Sequence, residues 1–143
     1  DKKERKSILE DLKKESRTIL LYEAPHHLAK TIGELCETLG NRKVTLCREL
    51  TKKFEEIRPM TLYDARSFYE HEEPRGEYVL VVEGKSLAEF KKEQERGWQS
   101  IPIEEHMQRY ESQGIDHKEA MKKVAKDRGI SKREVYQALL DNQ

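Results

Sequence analysis

The sequence has no glycine-rich loop. Its seven glycines, at positions 33, 40, 76, 84, 97, 114 and 129, are scattered. That excludes a GxGxxG turn, a P-loop and a nucleophile elbow, so no run of clustered backbone N–H groups can cradle a nucleotide-type cofactor. Cysteine is scarce. Cys36 and Cys47 show neither CxxC nor Cys/His ligand spacing, which points to a reduced, cytoplasmic protein with no metal site. Apolar runs fall far short of membrane-spanning length and no secretory signal precedes the charged start, so no membrane association is expected. A dominant charge is lacking too. Lys+Arg and Asp+Glu both number 28, so only local patches can argue for a nucleic-acid partner. The chain opens at Asp1 without an initiator Met, in what reads as the middle of a helix; the expectation is a piece of a longer protein.

Hydrophobic residues make up 35% and charged residues 39%, and mean hydropathy is -0.97. The apolar residues are nevertheless clustered, which argues for a folded chain with an economical core. Ile8, Leu9 and Leu12 form a narrow stripe on a helix over 2–15. RTILLYE (17–23) is a β-prone run whose continuous Ile19-Leu20-Leu21 suggests a strand buried on both faces. Pro25 suits the first turn of a helix carrying Leu28, Ile32, Leu35, Cys36 and Leu39, with Gly40 as its stop. KVTLCREL (43–50) reads as a second strand. Residues 50–60 read as a short helical or looped piece leading to an edge strand. Thr61 caps a helix carrying Leu62, Ala65, Phe68 and Tyr69, and EYVLVVE (77–83) is the clearest strand.

Strands alternating with helices imply an α/β domain over 1–84, with helices covering a sheet. The polar stretch 85–100 reads as an interdomain linker, helical in part. Beyond it no β-prone run occurs, and three helices over 102–113, 117–128 and 132–141 form a small helical domain over 101–143.

Three features can carry chemistry. Tyr22-Glu23-Ala24-Pro25-His26-His27 lies where a strand gives way to a helix, the place where open α/β sheets collect ligands; a solvated helix-starting turn is the bland alternative. Arg48-Glu49-Leu50-Thr51-Lys52-Lys53-Phe54-Glu55-Glu56 closes the second strand with groups able to meet a phosphate or carboxylate, or simply with a solvated charge run. Third, Ala120, Val124 and Ala125, the turn Gly129-Ile130-Ser131, and Val135, Tyr136 and Leu139 give a helix-turn-helix pattern. Between Lys118 and Arg133 its bases are Lys118, Lys122, Lys123, Lys126, Arg128, Lys132 and Arg133 against two acids. That local excess suits a nucleic-acid-facing surface, and equally a packing module with a basic solvated face.

YEAPHH, RELTKKFEE and GEYVLVVEG, in this order and spacing, together with the tail KEAMKKVAKDRGISKREVYQALL, resemble the tetrapyrrole-methylase-like (class III) SAM-dependent methyltransferases. Within them they resemble the ribosomal RNA small-subunit methyltransferase I branch. The resemblance runs over nearly the whole chain and implies the C-terminal αβα-layer domain of that fold, followed by a helical tail. It implies S-adenosyl-L-methionine held between this domain and an N-terminal, glycine-rich one. It implies methyl transfer to the 2′-hydroxyl of a cytidine in 16S rRNA of the small ribosomal subunit, and a homodimer as the full-length form. On matching motifs, Glu23 and His26 would position substrate or act as base. Ala24, Pro25, Arg48, Glu49, Thr51 and Lys52 would lie at the cofactor or flank it near the RNA backbone, and the tail's charge excess makes Lys118, Lys122, Lys123, Lys126, Lys132 and Arg133 the bases expected at RNA. The chain departs from the family at His27, where Arg is usual, and at Pro59, where Gly is usual and a turn should change. Alone it should be inactive. The competing readings are a non-catalytic RNA-binding module and a methyltransferase of the same fold acting on a tetrapyrrole.

Overall fold

The computed structural model describes residues 1–143, which divide into two compact units, Asp1–Ser86 and Leu87–Gln143. The first is mixed α/β: α1 (Lys2–Lys13), β1 (Ile19–Glu23), α2 (Pro25–Leu39), β2 (Lys43–Arg48), β3 (Glu56–Thr61), α3 (Leu62–His71) and β4 (Tyr78–Val82). At the start of α1 the Asp1 carboxylate accepts from Lys3 N at 3.0 Å. Pro25 takes the first position of α2 and Gly40 closes it, as their backbone constraints require. Thr61 caps α3 by accepting from Asp64 N.

The four strands run in the order β1-β4-β2-β3, and every neighbouring pair is antiparallel. Period-two alternation puts Ile19, Val44, Leu46, Tyr78, Leu80 and Val82 on one face, where they pack with Leu28, Ile32 and Leu35 of α2 and Leu62 and Ala65 of α3. Leu9 and Leu12 bring α1 onto the same side. Each large side chain buried there contributes about 1.5–3 kcal/mol. The opposite face stays open: Leu20 is 60% exposed, Tyr22 83% and Ile57 58%. Within this unit the sheet therefore has one helical layer.

Two expectations are corrected here. β1 is not buried on both faces; it is an edge strand paired with β4 alone, and the run Ile19-Leu20-Leu21 alternates buried, exposed and half-buried. Pro59 lies in no turn. It sits within β3 opposite Thr45, on an edge strand where a missing N–H leaves no ladder partner unsatisfied.

The second unit holds α4 (Leu87–Trp98), α5 (Ile103–Glu111), α6 (His117–Arg128) and α7 (Lys132–Asp141). The segment read as a linker is thus mostly helix, and α4 packs on α6 inside this unit. Met107, Ala120, Val124, Ala125 and Val135 form the core. Helices α6 and α7 are joined by Gly129-Ile130-Ser131. Gly129 adopts φ 67°, a left-handed cap with Glu95 packed where a Cβ would stand, and Ser131 and Glu134 close a capping box. Tyr136, expected on the inner side of α7, points outward and is 52% exposed. No helix is long and apolar enough to cross a membrane.

Candidate active site and RNA-facing surface

β4 runs antiparallel between β1 and β2, so the carboxyl ends of β1 and β2 emerge at the same end of the sheet. Tyr78 pairs with Glu23 on one side and Arg48 on the other. This register brings two sequence motifs together, about 10 Å apart across three strands. There they border a cleft of about 550 Å³ lined by Tyr22, Glu23, Ala24, Cys47, Leu50, Glu77, Tyr78 and Val79.

On the β1 side, Glu23 is held from two directions. One carboxylate oxygen accepts from Ala24 N at 3.1 Å and the other from the Thr31 hydroxyl at 2.5 Å. Arg5 donates to Thr31 Oγ1 at 2.9 Å and to Glu34 at 2.7 Å, so α1, α2 and the end of β1 are locked together. Pro25, His26 and His27 occupy the first turn of α2. Both imidazoles are exposed, with ring centres 4.3 Å apart.

On the β2 side, the backbone turns through two left-handed residues, Glu49 at φ 49° and Thr51 at φ 65°. For a β-branched residue such as Thr51 this is strained, at about 1–3 kcal/mol. Glu49 braces the turn: it accepts from Glu77 N at 2.7 Å and pairs with Lys52 at 3.0 Å. These bonds, the Glu77 N–H first, hold its carboxyl below the usual range. Lys52 also reaches Glu77 at 3.0 Å, and its pairing with both carboxylates raises its pKa. Gly76 passes so close to Glu49 that a Cβ there would collide with its side chain. Arg48 turns to the other face, pairs with Glu56 at 3.2 Å, and leaves its buried Nε without a partner. That face holds a second cavity, about 490 Å³, where Arg48, Arg58 and Arg75 meet Glu56, Glu72, Tyr69 and Tyr78.

The structure thus gathers Glu23 and Ala24 in one cleft with Leu50. It places Arg48 in the second cavity, Pro25 and His26 in the first turn of α2 that follows Ala24, and Glu49, Thr51 and Lys52 in the strained turn. Cys47, Glu77, Tyr78 and Val79 also line the cleft; the sequence marks none of them as site residues, and the insertion of β4 between β1 and β2, which brings Glu77, Tyr78 and Val79 there, leaves no mark in local pattern. No group of three or more His, Cys, Asp and Glu side chains converges to hold a metal.

In the helical unit, Lys118, Lys122, Lys123, Lys126 and Arg133 are exposed and Lys132 is half-exposed. Lys122 pairs with Glu119 at 2.6 Å, and Lys123 lies over the Tyr110 ring at 5.8 Å. Arg128 does not join this surface. Its Nε donates to His106 Nδ1 at 3.0 Å and its Nη2 donates to the Ile101 carbonyl. An arginine Nε can only donate, so His106 Nδ1 accepts and Nε2 carries the proton, which goes to Asp127 Oδ2 at 2.9 Å. Asp127 Oδ2 also accepts from the Tyr110 hydroxyl, whose pKa is pushed up to about 12 by that bond. Burial, with Arg128 beside it, lowers the His106 pKa in spite of Asp127. This buried polar group was invisible in the sequence, although His106 and Tyr110 stand one helical turn apart.

The chain thus holds a mixed α/β unit with a strand-end cleft and a helical unit with a basic outer face. No family model matches the chain. Among curated proteins it is similar to the ribosomal RNA small subunit methyltransferase I of Bacillus subtilis, at 45% identity over 96% of this chain and 47% of the relative. The same-named protein of Halalkalibacterium halodurans is 40% identical over 94% and 46%, and that of Synechocystis 31% over 96% and 48%. The chain spans about half the length of these curated relatives. It is homologous to the C-terminal portion of the ribosomal RNA small subunit methyltransferase I family.

Proposed function

We propose that this chain is the C-terminal part of a SAM-dependent ribosomal RNA methyltransferase that modifies the 2′-hydroxyl of a cytidine in 16S rRNA. Residues 1–84 would supply one wall of the cofactor and substrate cleft, as the C-terminal domain of the class III layout, and the basic helices would meet RNA. The carrying observation is the convergence of Tyr22, Glu23 and Ala24 with Cys47 and Leu50 on one cleft across β4. The names of the relatives supply the reaction class.

The residues present fit one side of S-adenosyl-L-methionine. Cys47, Leu50 and Val79 form an apolar floor, Glu77 offers a carboxylate for hydroxyl groups, and the strained turn at Glu49–Thr51 gives the backbone a reason to be there. When bound, the cofactor supplies an activated methyl group. The chain's own part is alignment. Glu23 is a positioning residue, since both its oxygens are engaged in fixing the start of α2. His26, exposed on the same turn, can take a proton from a ribose hydroxyl. Cavity-lining Arg48 has an unpartnered Nε suited to an anionic group. The active form is a homodimer, as the resemblance implies.

The test is methylation of small-subunit RNA by this chain joined to the N-terminal half that its relatives carry. Glu23→Ala and His26→Ala should each lower the rate, the latter by about 100-fold if His26 is the base. Unchanged methylation by both would overturn the assignment. Residues 1–143 alone should neither methylate RNA nor bind the cofactor tightly. The exposed basic face supports a second reading, a non-catalytic RNA-binding module. RNA binding without methylation by the joined protein would favour it, and methylation of a tetrapyrrole would favour the third.

A further inference from the structure

The helical unit contains a cavity that the methyl-transfer reading leaves unused. It measures about 400 Å³ and is lined by Gln94, Trp98, Ile101, Arg109, Tyr110 and Asp127. Trp98, at the end of α4, is half-buried. Its ring stacks on His106 with centres 3.7 Å apart and planes 8° from parallel. His106 is fully buried and stacks in turn on Tyr110. A flat aromatic surface is therefore held rigidly at the cavity wall, with the Arg109 guanidinium 5.6 Å from the Trp98 ring centre. Asp127 is oriented as firmly. The bonds from His106 and Tyr110 both fall on Oδ2, which leaves Oδ1 for the cavity. Lys123, over the Tyr110 ring, connects this cavity to the basic face of α6.

We propose that this cavity is a nucleobase subsite, which takes one unpaired base of the RNA against Trp98. A fixed aromatic plane complements a flat ring. A carboxylate oxygen with a locked direction complements an amino group on the base edge, as on cytosine, adenine or guanine, and disfavours the carbonyl-rich edge of uracil. Arg109 and Lys123 complement the neighbouring phosphates. The inference rests on the RNA reading above and narrows it: the bound segment is single-stranded, because a stacked, paired base could not enter.

The intact 143-residue chain carries its own reporter, since Trp98 is its only tryptophan. Trp98 emission would be followed while single-stranded oligocytidine and oligouridine hexamers, and CMP and UMP alone, are added at low salt. The expected result is saturable quenching, with cytidine bound about fivefold more tightly than uridine. Arg109→Gln, an exposed change, should weaken binding severalfold with an unaltered thermal melt. Asp127→Asn should erase the preference for cytidine. Replacing Lys122, Lys123 and Lys126 together by Ala should weaken the hexamers about tenfold or more and CMP much less. RNA retardation in a gel with no change in Trp98 emission would overturn the subsite and leave RNA binding standing. Quenching by CMP with no RNA binding would support the subsite and sink the RNA reading. No response to any probe would end both.

Discussion

The two units solve the same problem differently. Asp1–Ser86 buries one face of its sheet and leaves Leu20, Tyr22 and Ile57 open, while Leu87–Gln143 wraps four short helices around a core closed on itself. The first unit's polar residues gather at a sheet end, around a cleft and a strained turn. The second unit buries its polar cluster, Arg128–His106–Asp127–Tyr110, between helices. An exposed apolar sheet face is a surface waiting for cover; an internal, satisfied polar network fixes one packing arrangement. The contrast is between a unit that leaves one apolar sheet face uncovered and a unit whose apolar core lies between its helices.

The sharpest way to break this contrast is to damage one core and watch the other. Leu80 is fully buried in the centre of the sheet, so Leu80→Ala should cost about 2–5 kcal/mol in the first unit. Denaturant unfolding followed by circular dichroism should reveal an early transition, while Trp98 emission, which reports the second unit, stays put. A Trp98 transition moving in step would show the units to be one cooperative body. Next in size is Asp127→Ala, which strands the Tyr110 hydroxyl and the His106 Nε2–H. Unsatisfied buried donors cost about 1–3 kcal/mol, and here the Trp98 transition should be the one to move.

This difference also explains what the sequence made legible. Helices α2, α3, α6 and α7 were readable because their starts and stops are written locally: Pro25 and Gly40, Thr61, and the turn Gly129-Ile130-Ser131. The strands were readable as segments but not as a sheet. Nothing near Leu20 says that β1 is an edge strand, since that depends on β4 arriving about 60 residues later. The candidate site shared this fate. Glu23 and Arg48 stood out as candidate site residues, whereas Glu77, Tyr78 and Val79, within the motif GEYVLVVEG, joined the cleft only through the register. In the second unit Arg128 counted as one more surface base, because a basic run does not disclose which member turns inward.

A smaller effect separates the units by pH. The folded His106 pKa lies below its ordinary 6.5 because the ring is buried, with Arg128 and Arg109 also opposing its charge and Asp127 favouring it. The unfolded chain therefore binds this proton first. The contribution is fully present above about pH 6.5, falls as pH drops below that value, and levels off below the folded pKa. Acid titration of unfolding should lower the Trp98 transition over that window, and His106→Gln should remove this component of the slope.

The least expected effect is at Leu20, and it tests the contrast most directly. Leu20 and Leu80 belong to paired strands of one sheet, yet Leu20 is 60% exposed and Leu80 fully buried. If burial rather than strand membership sets the cost, Leu20→Ser should change the stability of this chain by no more than about 0.5 kcal/mol. The same substitution in the protein joined to an N-terminal half should cost more, because the side chain would then leave a covered interface instead of water. Equal, negligible costs in the two settings, measured by parallel urea titrations, would mean that the open face of the sheet stays open in the whole enzyme. The first unit would then be as complete as the second.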